Sequence, residues 1–344
     1  MRRWLGKSET TLGNHSDRLN AINIFPVADG DTGTNLYLTV RAAKLALDDF
    51  AAVHSAKEAL GEGGRPGETS QLGDVGALLG RAGQAAMEQA RGNSGTLFAV
   101  FLCALAEPLQ GKPRLNAPLL ASALNRAQLR AWSALSEPVP GTMLSVLEAA
   151  ARAAGAVDAA QNGDESNLAL GLALDAAVEA ALDAVIRTED QLAPLHAAHV
   201  VDAGGVGMLL ILDCLRSAVL GEELRDEVLE GLHGYRTQDP HIHQHHPDDG
   251  GVEIMCTITL SPLDAAMLRQ RLDELGDSVI LSQLGATHEP HGDQDADVDY
   301  RWRVHAHVPD ATPAVELIRS LGEPSDITVS QLAVPREPVH EHDA

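Results

Sequence analysis

Asn20-Ala21-Ile22-Asn23-Ile24-Phe25-Pro26-Val27-Ala28-Asp29-Gly30-Asp31-Thr32-Gly33-Thr34-Asn35 sets two aspartates on a loop punctuated by proline and glycine. Pro26 fixes its own φ, and Gly30 and Gly33 permit bends that other residues resist. Asp29 and Asp31 flank Gly30, so the loop can aim both carboxylates at one point. Two ionised carboxylates that close repel unless a cation lies between them. Hard oxygen donors, a tight turn and a helix starting just afterwards suit magnesium carrying nucleotide phosphates. Thr32 and Thr34 are candidate caps for that helix, whose free N–H groups favour an anion. The same residues also suit an Asx-type turn that caps a helix and holds no metal.

On either side of the loop the pattern is helical. Residues 1–22 predict one or two short helices. Leu36, Leu38, Val40, Ala43, Leu45 and Leu47 predict another over 34–50. The run from Gly61 to Glu68 reads as a surface loop. Within 72–90, Leu78, Leu79, Ala82 and Ala86 recur at helical spacing. Arg91-Gly92-Asn93-Ser94-Gly95 interrupts, and 95–107 resumes as a nearly all-apolar helix. Further helices are expected over 117–135, 141–154, 166–188 and 204–219; Leu174, Val178, Ala181, Leu182 and Val185 share one face. That makes roughly eight helices and no strand in residues 1–220, an all-α bundle or barrel closed on itself.

Composition supports small, closely packed side chains. Hydrophobic residues are 44% of the 344, but aromatics are 3%. The net charge of −24 repels nucleic acid and anionic lipid, so neither is an expected partner. ATP remains compatible, because local N–H groups and a bound cation set that affinity. Cys103, Cys214 and Cys256 lie far apart and form no disulfide framework. Arg2 and Arg3 precede no apolar h-region, and no apolar run is expected to reach the length of a membrane span. A cytoplasmic location follows as the expectation.

From 221 the composition changes. Residues 221–251 form a His- and Asp-rich linker, with a solvated cluster from His241 to His246. Val252 to Leu260 then alternates as a strand. Leu263, Met267, Leu268, Leu272 and Leu275 predict a helix. Strands are expected over 278–284, 299–308 and 326–333, with a helix over 311–321. This β-α-β-β-α-β order predicts a ferredoxin-like α+β domain over 252–334. The insert from His288 to Asp297 and the tail 335–344 read as mobile. His305 and His307 share one face of their strand, and a neighbouring strand could bring Cys256 beside them, a donor set that suits zinc. The alternative is two histidines on a solvated face and a core cysteine.

Three more glycine-marked joints open helices: Gly92-Asn93-Ser94-Gly95, Pro140-Gly141-Thr142-Met143 and Asp202-Ala203-Gly204-Gly205. Singly each is an ordinary cap. Together, several such helix starts and an aspartate pair could line one end of a helical barrel and turn positive dipole ends on an anion. These motifs, in this order across residues 20–210, resemble the nucleotide-binding domain of dihydroxyacetone kinases (the DhaL type). They resemble more closely the kinase subunit of bacterial fatty acid kinase. The resemblance implies an eight-helix DhaL-like barrel with ATP at one end, and an ATP-dependent kinase. Asp29 and Asp31 are implied to be the catalytic aspartates, holding Mg²⁺ on the phosphates with Asn23 as the third ligand. Thr34 and Asn35 are placed near phosphate and metal, and Ser94 and Gly95 on the phosphate. Thr142 and Met143 come beside the nucleotide, and Asp202 and Gly204 over the adenosine. Similarity of the second domain to the middle domain of the fatty acid kinase subunit implies zinc on Cys256, His305 and His307.

The resemblance implies a separate acceptor-presenting, fatty-acid-binding partner protein; the fatty acid kinase subunit engages that partner through a third domain, which this sequence, ending at Ala344, does not include, and that favours a nucleotide-binding protein without turnover. Three functions remain in view: a kinase component acting on a fatty acid carboxylate, a dihydroxyacetone-type kinase subunit, or a nucleotide-binding regulatory or scaffold protein without turnover. A homodimer is left open.

Overall fold

The computed structural model describes residues 1–28, 30–59, 73–225, 229, 231–235, 251–286 and 299–332. Asp29, the loop from Gly61 to Glu68, the cluster from His241 to His246, the insert from His288 to Asp297 and the tail from Pro335 lie outside them. The chain forms two compact units. One takes in Met1–Pro26 and Gly30–Ile242, and the other Val27–Asp29 and His243–Ala344.

The first unit is helical: α1 (Arg2–Ala21), α2 (Thr32–Ala59), α3 (Val75–Gln89), α4 (Gly92–Ala106), α5 (Ala117–Ala134), α6 (Met143–Ala160), α7 (Asn167–Gln191), the short α8 (Ala193–Ala198) and α9 (Ala203–Leu220). Residues 1–22 therefore make one helix, and α2 runs well past the expected 34–50. Local chemistry sets the ends. Asp74 caps α3 by accepting from Ala77 N at 3.0 Å, Asn116 caps α5 through Leu119 N, and Ser166 caps α7 through Ala169 N. Gly221, at φ +77°, ends α9 in the left-handed conformation that glycine adopts without strain.

Each helix packs on the next, and α9 packs back on α1, which closes a ring of α1–α7 and α9. The interior is mostly Leu and Ala. Leu5, Leu12 and Leu19 of α1 recur every seven residues and are fully buried, each contributing about 1.5–3 kcal/mol. Ala82, Ala86, Ala123, Ala127 and Ala131 keep neighbouring axes close. Trp4 fills the seam between first and last helices and donates from Nε1 to Ile211 O at 2.9 Å. Two stretches, 92–109 and 203–220, are long and apolar enough to cross a membrane by length and composition, contrary to the expectation from sequence. Both are mostly buried within the unit.

The ring unit also extends beyond 220. Leu232 and Tyr235 are buried, His233 O accepts from Val201 N, and the Tyr235 hydroxyl lies 2.7 Å from His15 Nδ1. The expected linker therefore begins within this unit.

The second unit follows the order β1 (Val252–Leu260), α10 (Pro262–Asp273), β2 (Asp277–Ala286), β3 (Tyr300–Val308), α11 (Ala311–Leu321), β4 (Ser325–Gln331). The sheet order is β2-β3-β1-β4, and every neighbouring pair is antiparallel. Alternation puts Ile254, Cys256 and Ile258 of β1 with Val304 and Ala306 of β3 in one core, closed by Leu268, Leu272, Leu317 and Ile318 of the two helices.

Candidate functional site

In an up-and-down ring, alternate helices start at the same end. The four glycine-marked joints precede α2, α4, α6 and α9, the even members of the ring, and packing brings their starts together. At α1–α2, Gly33 lies so close to α1 that a Cβ there would press on the Ser16 carbonyl and sit 2.8 Å from Leu19 Cβ. At α2–α4, a Cβ on Gly92 would strike the Asn35 amide, and one on Gly95 would sit 2.5 Å from Thr39 Oγ1 and 3.3 Å from Asn35 O. At α6–α9, the Cβ position of Gly204 lies 3.5 Å from Met143 Cβ, and that of Gly205 3.1 Å from Val146 Cγ2. Gly207 packs on Leu36, which joins α9 to α2. At Gly33, Gly92, Gly95 and Gly207 a Cβ would lie under 3.0 Å from its neighbour, so there hydrogen in place of a side chain permits the approach.

Asn23, Asp31, Thr34, Asn35, Ser94, Gly95, Thr142, Met143, Asp202 and Gly204 are thus gathered at one end of the ring. Gly30 takes φ +67° and turns the chain into Asp31, whose carbonyl accepts from Asn35 N at 2.8 Å. Asn23 is buried and donates its backbone N–H to Asn20 O. Among the described residues, the first N–H groups of α2 go to Asn20 and not to the threonines expected to cap it. Asn20, at the end of α1, accepts from Gly33 N (2.8 Å) and Thr34 N (3.1 Å) through Oδ1 and donates from Nδ2 to Thr34 Oγ1 (2.9 Å). A cap supplied from another helix has no local spacing, so sequence reading missed Asn20.

The α6 start is self-capped. Thr142 Oγ1 accepts from Leu144 N at 3.4 Å and donates to Val139 O at 2.8 Å, while Gly141 takes φ +85°. Asp202 ties two helix starts together. Its Oδ2 accepts from Gly205 N at 2.6 Å, its carboxylate also accepts from the Met143 N–H, and its own N–H donates to Thr188 Oγ1 at 2.9 Å. Burial pushes this carboxyl up to about 7, against the pull of the two backbone donors. At α4 the cap position holds Arg91, which makes no capping hydrogen bond. Four positive helix ends facing one space suit a polyanion, and an adjacent carboxylate suits its metal ion.

The second unit holds a separate polar cluster. His305 and His307 share one face of β3, with ring centroids 4.9 Å apart. His307 pairs in register with Glu253 of β1. One ligand atom from each of Glu253, His305 and His307 lies within 4.8 Å of the others. Glu253 Oε1 is 3.4 Å from His305 Nδ1, an ion-pair distance that does not meet hydrogen-bond geometry, and both ring nitrogens of the fully buried His305 are left without a hydrogen bond. Burial, then the charges of His307 and Arg303, lower the His305 pKa well below its usual value and keep it neutral. Cys256 is not part of this group. It pairs with Val304 and faces the helix-covered core, on the other side of the sheet, where burial pushes its thiol up to about 12. Strand parity corrects the expected Cys256–His305–His307 set, and Glu253 stands where the cysteine was expected. Two imidazoles, of which His305 is buried without a hydrogen bond at either ring nitrogen, and a carboxylate are a donor set that fits a transition-metal ion.

Comparison with known proteins agrees in part. Two uncharacterised Staphylococcus aureus proteins, from strains bovine RF122 / ET3-1 and MRSA252, are each 26% identical over 283 residues, covering 78% of this chain and 46% of their own. The chain therefore spans about half the length of these relatives. Among solved structures, the C. freundii dihydroxyacetone kinase in complex with AMP-PNP and Mg²⁺ aligns with a TM-score of 0.42 at 18% identity, covering 63% of this chain and 33% of that one. Its native form gives 0.41. Over residues 65–217, a span that runs from before α3 into α9, the helical unit matches the model of the DAK2 domain.

Proposed function

We propose that the helical unit binds Mg-ATP at the end of the ring where α2, α4, α6 and α9 begin, and serves as the nucleotide-binding component of a kinase. The observation that carries this is the convergence of four glycine-bearing helix starts beside Asp31; the DAK2 match over 65–217 supports it. Phosphoryl transfer depends on positioning and charge neutralisation more than on covalent help from the protein. Asp29 and Asp31, with Asn23, are the residues proposed to hold the magnesium ion, which would neutralise charge on the phosphates. Ser94 and Gly95 would steady those phosphates, and Thr142, Met143, Asp202 and Gly204 would flank the nucleoside. No general base is assigned, so the acceptor is proposed to arrive on a partner protein as a fatty acid carboxylate. ADP release measured with a candidate acyl-binding protein loaded with fatty acid tests this. Release that needs both partner and acid supports it. ATP binding with no release under any acceptor, dihydroxyacetone included, leaves a nucleotide-binding regulatory protein.

For the second unit we infer a zinc site on Glu253, His305 and His307, and the orphaned ring nitrogens of His305 support it. Such an ion would cross-link β1 and β3. Purified chain is expected to carry about one zinc per protomer, lost in His305→Ala; wild-type protein free of metal, or a variant that keeps it, contradicts the site.

A further inference from the structure

The chain does not leave the helical unit where α9 ends. Gly221 closes α9, and the residues after it are fastened to that end: Arg225 N donates to Asp213 Oδ2 at 2.8 Å, and the buried Arg216 donates to Glu222 Oε2 and to Glu223 O. By residue 231 the chain is back at the opposite end, beside the residues that lead into α9. There His233 O accepts from Val201 N at 3.4 Å. Gly234, at φ +73°, lies so close to Val200 that a Cβ would come 2.4 Å from its Cγ1. Leu232 and Tyr235 are buried, and the Tyr235 ring stacks on His15 of α1 with centroids 5.9 Å apart. Residues 231–235 thus form a strap between the start of α9 and α1. Glu189 of α7 is its catch. This carboxylate, only 13% exposed, lies 2.6 Å from His233 Nδ1 and 3.3 Å from His199 Nδ1. An ionised carboxylate only accepts, so both imidazoles donate to it. His199, at φ +52°, turns the chain out of α8 toward Asp202, and Thr188, next to Glu189, holds the Asp202 N–H.

We propose that docking of this strap and binding of nucleotide at the ring end are coupled, with Glu189 as the positioning residue that ties one to the other. The path is short. The strap holds Val200 and Val201, and the next residue is Asp202, whose carboxylate joins the starts of α6 and α9. When the strap lifts, residues 199–201 lose the contacts that fix them, and the two helix starts no longer keep one register. A ligand seated on both starts therefore favours the docked strap, and by linkage the docked strap favours the ligand by the same factor. The strap is short, and the two imidazoles on its catch are exposed to solvent. An element held in this way opens locally, before the fold as a whole does. This inference rests on the Mg-ATP reading of the ring end.

The test is hydrogen exchange of the full chain, read by mass spectrometry, without nucleotide and with Mg-AMP-PNP at about 100 times its Kd. The N–H groups of Val201, Asp202 and Tyr235 report the strap, and those of Gly221 and Arg225 report the far end of α9. An opening that forbids binding is suppressed by up to about 100-fold at this concentration. The first set is therefore expected to slow by at least about tenfold, and the second by less than about twofold. Glu189→Ala is expected to speed exchange in the first set and to weaken Mg-AMP-PNP by about 3- to 10-fold in calorimetric titration, as loss of one hydrogen-bonding group implies. Glu189→Gln, which keeps one acceptor oxygen, is expected to recover part of both effects. Bound Mg-AMP-PNP with no slowing at the strap, equal slowing at both ends, or faster exchange in Glu189→Ala at unchanged affinity overturns the coupling and leaves the nucleotide site standing. A wild-type chain that binds no Mg-AMP-PNP overturns the site itself, and this inference with it.

Discussion

Asp202 joins two helix starts through one carboxylate, and its burial gives that junction a pH dependence. Its pKa rises to about 7 in the folded chain, against about 3.9 for an unperturbed aspartate. Between those values the folded chain holds a proton that the unfolded chain has lost. The contribution to stability is therefore complete below about pH 4 and disappears as pH rises to about 7, with about 4 kcal/mol as its upper bound. Asp202→Asn cannot ionise and keeps an acceptor for Gly205 N. The variant should lose less unfolding free energy than wild type between about pH 5 and pH 7.5, measured by urea denaturation at each pH. Parallel changes in the two proteins would mean that Asp202 titrates as it does in water. At the same scale, Asn20 accounts for Thr34: the hydroxyl is held by Asn20 Nδ2, so its position is set from α1.

At the scale of elements, glycine decides where helices touch. A methyl group on Gly33 would collide with the α1 backbone, whereas one on Gly6, in the second turn of α1, meets nothing within 4 Å. Gly33→Ala should destabilise the chain by about 1–3 kcal/mol through overpacking. Gly6→Ala should stabilise it by about 0.5–1 kcal/mol through helix propensity. Thermal melts of the two variants should move in opposite directions, and a shared direction would contradict the helix contact at Gly33. Apolar periodicity made the elements themselves legible, because 3.6-residue and two-residue spacings are local properties of the chain. It placed α3 to α7 and β1 to β4 close to their observed limits. Register is not local, and that is where reading failed. Glu253 and Cys256 stand three apart on β1 and so face opposite sides, and only the pairing of Glu253 with His307 shows which of them meets the histidines. The cap on α2 was illegible for a related reason, since Asn20 reaches it from across a bent loop.

For the whole molecule, the contrast is between total and local charge. A net −24 repels a nucleotide at long range, while four helix N-termini at the ring end would attract its phosphates at short range. In the proposed Mg-ATP site a divalent ion held at Asp31 would reconcile the two, because it would cancel part of the ligand's negative charge before burial. The apolar stretches 92–109 and 203–220 belong to α4 and α9 and are mostly buried within the helical unit. The measurement that bears most directly on this is calorimetric titration of the chain with ATP, in Mg²⁺ and in EDTA, for wild type and Asp31→Ala. Saturable binding by wild type in Mg²⁺, weakened at least about tenfold (1.4 kcal/mol) by EDTA or by Asp31→Ala, is the expected result. Equal affinity across all four titrations, with the variant still folded by circular dichroism, would contradict it.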